Sequence, residues 1–136
     1  MTIRLVGRLL TTPPPTQRAA SRATTAAARR TLVDAARELL AADPGTLGLR
    51  QVAQRLGCSP YHLSRVFRRQ VGMTLTRYRN RIRVHIALDA IEAGNTNLAD
   101  LAAELGFADH AHLTRTVRGE CGHTPQALRQ LLAAPN

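Results

Sequence analysis

The chain has 136 residues and a formal net charge of +10, and all 19 of its lysine-or-arginine positions are arginine. Hydrophobic residues make up 44% of it but aromatic residues only 3%, so a core must be built mainly from aliphatic side chains, which favours helices over a β-rich fold. No apolar run reaches the ~18 residues of a membrane span, and the two cysteines do not make a disulfide framework, so we expect a cytoplasmic protein without membrane contact.

Residues 1–28 are predicted to be a disordered or remnant N-terminal segment outside the folded domain. Prolines break any regular element over 11–15, and the alanine, threonine, serine and arginine of 16–28 are typical of a segment that is disordered or frays into helix. Residues 29–42 carry apolar side chains at helical spacing, and the Asp43-Pro44-Gly45 turn ends this helix. Its predicted inner face consists of Leu32, Ala35, Ala36, Leu39 and Leu40.

The stretch 98–129 is an imperfect copy of 49–79 with one inserted residue. The matched positions of the first stretch are Leu49, Ala53, Leu56, Gly57, Leu63, Arg65, Arg68, Gly72, Thr74 and Arg79. They fall on Leu98, Ala102, Leu105, Gly106, Leu113, Arg115, Arg118, Gly122, Thr124 and Arg129. A short amphipathic helix, a glycine and a capped second helix form a helix-turn-helix pattern, so the chain contains this unit twice.

Local signals set the ends of these helices. Gly57 and Gly106 are expected to have positive φ, and Ser59 and Asp109 are expected to cap the second helix of each unit. A long periodic stretch over 74–93 connects the units; its predicted inner side includes Leu75, Tyr78, Ile82, Ile86 and Ile91. Its alternating arginines must spread around the helix, so we expect only Arg77 or Arg81 to approach phosphate.

These residues resemble the DNA-binding domain of AraC/XylS-type transcriptional regulators, above all in the run GF-x-D-x-x-x-L-T-R-x-V-R-x-x-x-G-x-T-P over 106–125. The resemblance covers roughly 31–132. It implies an all-α domain of about seven helices over 29–133, with a first unit at 29–73, a linker helix at 74–94 and a second unit at 97–133. It also implies a transcriptional regulator, usually an activator, whose partners are double-stranded DNA and RNA polymerase. No small-molecule effector domain is evident.

The second helix of each unit is the predicted recognition helix. In the first, an aromatic, a hydroxyl and two guanidinium side chains share one outward stripe, as a groove-reading helix requires. The expected base contacts there are Tyr61, Ser64 and Arg65. By resemblance, those of the second helix are His110, Ala111, Thr114 and Arg115. The expected DNA backbone contacts are Ser59, Arg68, Arg69, Arg77, Arg118 and Thr124.

Three residues of the second unit depart from the family pattern. Val117 replaces a usual aromatic residue, Cys121 replaces a larger apolar one, and Gly119 stands inside a helix, where it costs about 1 kcal/mol relative to alanine. We therefore expect a looser second unit with a weaker grip on DNA.

The sequence also offers features of other functions. His110, His112, Cys121 and His123 could supply zinc ligands, but residues two apart on a helix diverge, so we expect neither a metal nor another cofactor. Nucleophile elbows, phosphate-cradling glycine loops and paired catalytic carboxylates are missing, which predicts that the protein is not an enzyme. The alternatives are a truncated or non-specific basic DNA-binding fragment and a helical module that binds an acidic protein partner.

Overall fold

The computed structural model describes residues 17–95 and 97–133, and every regular element in these ranges is an α-helix. This confirms the predicted all-α class. The seven helices are α1 (Gln17–Ala42), α2 (Leu49–Leu56), α3 (Pro60–Val71), α4 (Leu75–Glu92), α5 (Leu98–Glu104), α6 (His110–Cys121) and α7 (Pro125–Ala133).

Contacts between Cα atoms divide the chain into a short part, 1–31, and a larger part, 32–136. The prediction for 1–16 lies outside the described residues. Residues 17–28, predicted to be disordered or to fray, are helical, so α1 begins well before residue 29. The reason is local: this stretch is rich in alanine and contains neither glycine nor proline. Within the short part, the Thr31 hydroxyl donates a hydrogen bond of 3.0 Å to the Ala27 carbonyl.

The first helix-turn-helix unit, α2 and α3, shares a buried cluster with the apolar face of α1 and the beginning of α4. Its buried members are Val33, Ala36, Leu40, Leu47, Val52, Ala53, Leu63, Val66, Phe67 and Leu75. Val33 was not predicted as a core residue, whereas Leu32 and Leu39 are only half-buried. The Phe67 ring fills the centre and meets the Tyr78 ring edge-on, at 5.4 Å between centroids.

The second unit, α5 and α6, has its own buried cluster together with the rest of α4. Its buried members are Val84, Ala87, Ile91, Leu98, Leu101, Ala102, Leu105, Phe107, Leu113 and Val117. Because α4 serves two clusters, its buried residues do not form one stripe. Ile86, predicted on the inner side, is therefore 37% exposed, and the buried residue at the junction of the two clusters is Arg83.

Candidate nucleic-acid interface

Caps at both ends of helix α3 and the packing of its inner face fix its position. The Ser59 hydroxyl accepts a hydrogen bond of 3.1 Å from the His62 amide, which confirms the predicted N-cap. Gly72, at φ 85°, ends the helix in a left-handed conformation. With Leu63, Val66 and Phe67 buried, the opposite side of α3 must face solvent.

That outward side carries the predicted stripe. Arg65, Arg68 and Arg69 are exposed, Ser64 is half-buried, and Tyr61 is 71% exposed. The Arg65 guanidinium carbon lies 5.5 Å from the centre of the Tyr61 ring, one helical turn earlier. A cation–π contact at an exposed site contributes ~0.5–1 kcal/mol, so it favours this arrangement of the arginine side chain. The sequence predicted the stripe, and the i, i+4 spacing of Tyr61 and Arg65 was the signal for the contact.

Helix α6 has the same frame. The Asp109 carboxylate accepts a hydrogen bond of 2.7 Å from the His112 amide, which confirms the second predicted N-cap, and Gly122, at φ 76°, ends the helix. Leu113 and Val117 are buried, so the opposite side is again outward. On that side the structure places His110, Ala111, Arg115 and Arg118, all exposed, and Thr114, which is half-buried.

Thr124 lies beside this surface. Its hydroxyl accepts a hydrogen bond of 3.1 Å from the Ala127 amide at the beginning of α7. A groove of about 360 Å³ between α6 and α7 is lined by Leu98, His110, Thr114, Thr124, Pro125, Gln126 and Arg129. The structure therefore brings a predicted backbone contact, Thr124, together with two predicted base contacts, His110 and Thr114.

His112 has a structural role at the turn of the second unit. Its Nδ1 accepts a hydrogen bond of 3.2 Å from the Ala108 amide, and its ring meets the buried Phe107 ring edge-on at 5.2 Å. Within 17–95 and 97–133 no three histidine, cysteine or acidic side chains are grouped so that they could hold a metal ion.

The linker arginines divide into an outer and an inner pair. Arg77 and Arg81 are more than half exposed, and their Nε atoms lie 3.7 and 3.2 Å from the two carboxylate oxygens of Glu120 on α6. This contact was not predicted, since nothing local relates α4 to residue 120. Arg77 keeps enough exposure to reach phosphate, so its assignment to the DNA backbone stays a prediction.

The inner pair consists of Arg79 and Arg83, and Arg83 was not singled out from the sequence. It is 3% exposed, and its guanidinium donates to the carbonyls of Pro44 at 2.6 Å, Gly106 at 3.3 Å and Gly45 at 3.3 Å. Burial, and then the nearby Arg79 guanidinium, lower the pKa of Arg83 to about 10, so it remains charged at neutral pH. The available signal was its place in the i+4 series that ends with the buried Ala87 and Ile91.

The charge on the two outward surfaces has one sign. Among the described residues no carboxylate forms an ion pair with the arginines of either stripe, which are Arg65, Arg68, Arg69, Arg115 and Arg118. The Asp109 carboxylate lies at the N-terminus of α6, where it bonds the helix backbone. Each surface therefore presents unpaired guanidinium groups together with hydroxyl, imidazole or phenol donors, which suits both phosphates and base edges.

Comparisons with known proteins agree with this geometry. A family model described as a helix-turn-helix domain matches residues 52–131. The bifunctional transcriptional activator/DNA repair enzyme AdaA of Bacillus subtilis (strain 168) is 32% identical over 85 residues, which are 62% of this chain and 40% of that protein. A transcriptional regulator from Chromobacterium violaceum, described as an AraC-type DNA-binding domain-containing protein, superposes with a TM-score of 0.69 at 22% identity, covering 81% of this chain and 99% of that one. The DNA-binding domain of the global transcriptional factor AdpA, solved in complex with a target DNA, gives a TM-score of 0.65 at 22% identity, covering 74% and 90%.

Two capped helices with outward guanidinium stripes, joined through one long helix, define a double helix-turn-helix DNA-binding domain. The chain belongs to the AraC/XylS-type family of transcriptional regulators and contains the DNA-binding domain of that family. It spans 40% and 43% of the length of the first two curated relatives that it matches. Among the described helices, none is both long and apolar enough to cross a membrane.

Proposed function

We propose that this chain binds duplex DNA sequence-specifically, with α3 and α6 entering successive segments of the major groove. The single observation that carries the proposal is the repetition of one exposed, unpaired stripe at equivalent positions of two capped helices. A protein that only binds phosphate needs positive charge. It does not need the same outward stripe on two equally capped helices. The AdpA domain, which shares the fold, was solved in complex with a target DNA, and this supports DNA as the ligand.

Each recognition helix has a central arginine for which bidentate pairing with guanine is the natural contact. Arg65 and Arg115 are therefore our candidates for base reading. Tyr61, Ser64, His110, Ala111 and Thr114 flank them. Backbone contacts are assigned to Ser59, Arg68, Arg69, Arg77, Arg118 and Thr124. Two half-sites on one face of DNA would lie about 34 Å apart, one helical turn. If the helices are closer, DNA must bend at a cost of ~1–6 kcal/mol.

Selection from a random duplex pool at two salt concentrations tests this proposal. We expect an enriched motif of two short blocks about one turn apart, bound with an affinity that falls steeply with salt. One enriched block would mean that α6 grips only backbone. Binding without any enriched motif would reduce the chain to a non-specific basic fragment. Absence of binding would favour a helical module for an acidic protein partner.

We further propose that the regulator activates transcription in the cytoplasm by contact with RNA polymerase and has no enzymatic activity of its own. The B. subtilis relative is named a bifunctional transcriptional activator/DNA repair enzyme, and the first part of that name supports activation. In vitro transcription with purified polymerase and the selected operator upstream of a weak promoter tests it. More transcript with the protein than without it is expected, and less transcript would make the chain a repressor.

A further inference from the structure

The loop that leads into the first helix-turn-helix unit and the turn inside the second unit meet beside α4. Gly45 belongs to the loop that connects α1 to α2, and Gly106 forms the turn between α5 and α6. A Cβ atom added at Gly106 would overlap the carbonyl oxygen of Gly45, and one added at Gly45 would lie 2.7 Å from that of Glu104. The two backbones therefore approach too closely at this junction for side chains to lie between them.

Arg83 connects both loops with one side chain. It donates to Pro44 and Gly45 on the side of the first unit and to Gly106 on the side of the second. Its guanidinium also lies 5.4 Å from the centre of the Phe107 ring, so the second unit holds it by a carbonyl and by an aromatic face. The planar fork of an arginine fixes these directions together, which an ammonium group could not do.

The Arg83 guanidinium is the hydrogen-bond donor to three backbone carbonyls. The charge is buried against neutral carbonyls, and none of the described carboxylates pairs with it. Removing this side chain would leave those carbonyls without their donor, which destabilises the fold, and in some proteins buried polar or ionic groups also specify one geometry. At this junction, the geometry so specified is the arrangement of α3 relative to α6.

We propose that Arg83 is a positioning residue that fixes the separation of the two recognition helices and thereby the number of base pairs between the two blocks of the operator. The part that concerns the operator rests on the proposed reading of DNA by both helices. The part that concerns the helices does not require DNA. Two measurements therefore separate them.

The first measurement is a distance distribution between spin labels in the absence of DNA. Gln54 and Ala103 occupy equivalent exposed positions on α2 and α5, so both are replaced by cysteine in a Cys58→Ser, Cys121→Ser background. We expect a narrow distribution for the parent and one at least about twofold wider for Arg83→Met, because the two loops lose the side chain that connects them. Arg30→Met, an exposed site that removes the same charge, is the control and should remain narrow. An equally narrow distribution in Arg83→Met overturns the proposal.

A second variant tests the junction without touching the arginine. In Gly45→Ala the new Cβ presses on the Glu104 carbonyl and should widen the distribution as well. Thr46→Ala, an exposed change in the same loop, is its control. Should Arg83→Met not fold by circular dichroism, Gly45→Ala and Arg83→Lys, which keeps the charge but not the fork, decide the question.

The second measurement is binding to the selected two-block operator with one base pair added or removed between the blocks. For the parent we expect a loss of about 10-fold or more per change, comparable to a mismatched base pair. For Arg83→Met this ratio should fall to about 2-fold, whereas binding to a single block stays unchanged. A spacing ratio that stays at the parental value in a variant with a widened distribution would disprove the effect on the operator. If the parent selects no two-block motif, the proposed function fails, and the spin-label distances still decide whether Arg83 positions the helices.

Discussion

Phe67 and Val117 occupy equivalent places in the two recognition helices, and both are fully buried. The first unit fills this place with a ring that meets Tyr78 of the linker helix at 5.4 Å, whereas the second fills it with a small aliphatic side chain. The backbone frame is nevertheless repeated, with a cap at the start of each helix and a positive-φ glycine at its end. The caps and turns therefore define the helix-turn-helix backbone, while the volume of the buried side chains can differ between the two units.

The outward surfaces differ in how far their arginines are ordered. Arg65 stacks on Tyr61, one turn earlier in α3. The residue one turn before Arg115 is Ala111, which offers no surface for such a contact. An arginine that is already restricted loses less conformational entropy when it binds. The two units therefore have the same fold, but only the first has a contact that orders its central arginine before DNA binds.

The largest effect expected from this comparison concerns the two cores. Phe67→Ala should lower the free energy of unfolding by about 3–5 kcal/mol, since it removes a fully buried ring. Val117→Ala removes only two methyl groups and should cost about 2 kcal/mol. Urea denaturation of both variants measures the difference. If both variants lost the same unfolding free energy, the two cores would depend equally on these positions. The first unit would then not be the more tightly packed one.

The next effect concerns DNA. Arg65→Ala should weaken binding to the selected operator by ~1–3 kcal/mol and relax the preference at one base pair. Arg115→Ala should weaken it less, because Arg115 lacks the stacking partner and belongs to the unit predicted to grip more weakly. Fluorescence anisotropy with operator and base-substituted duplexes measures both, and Arg30→Ala controls for the lost charge. Unchanged base preference in both variants would remove these arginines from the reading of sequence.

Features that depend on a few neighbouring residues were predictable from the sequence. The all-α class, the caps at Ser59 and Asp109 and the left-handed Gly57 and Gly106 follow from composition and local rules, and the structure confirms them. The outward side of each recognition helix follows from the periodicity of its buried side. Which of those side chains touch DNA stays a prediction.

The unpredicted features depend on residues far apart in sequence. In the sequence, Arg83 is one of four alternating arginines of the linker helix. Only the structure shows that the loops at Gly45 and Gly106 enclose it. Ile86 was assigned to the core because a single apolar stripe was assumed for α4, whereas that helix serves two clusters. The pairing of Arg77 and Arg81 with Glu120 likewise required the packing of α6 on α4. Periodicity identifies a buried face, but it does not identify the partner.

The caps offer a place where the two units should behave alike. Ser59→Ala and Asp109→Ala each remove a side-chain acceptor for an amide of the first turn, at 3.1 and 2.7 Å. Each should cost about 1 kcal/mol of unfolding free energy. Replacement by asparagine, which can accept the same hydrogen bond, should restore most of the loss. If asparagine restores neither variant, the side-chain acceptor is not what stabilises these helix ends.

The smallest effect concerns Gly119, which is exposed within α6 and has no atom within 4 Å of a Cβ added there. Gly119→Ala should therefore raise the free energy of unfolding by about 0.5–1 kcal/mol, because alanine loses less backbone entropy in a helix. The equivalent residue in α3 is Arg69, so Arg69→Gly compared with Arg69→Ala should show a loss of the same size in the first unit. Using Arg69→Ala as the reference keeps the lost charge out of the comparison. If Gly119→Ala brought no gain while Arg69→Gly cost the full amount, α6 would not be limited by its glycine, and the looseness predicted for the second unit would have to come from Val117 and Cys121.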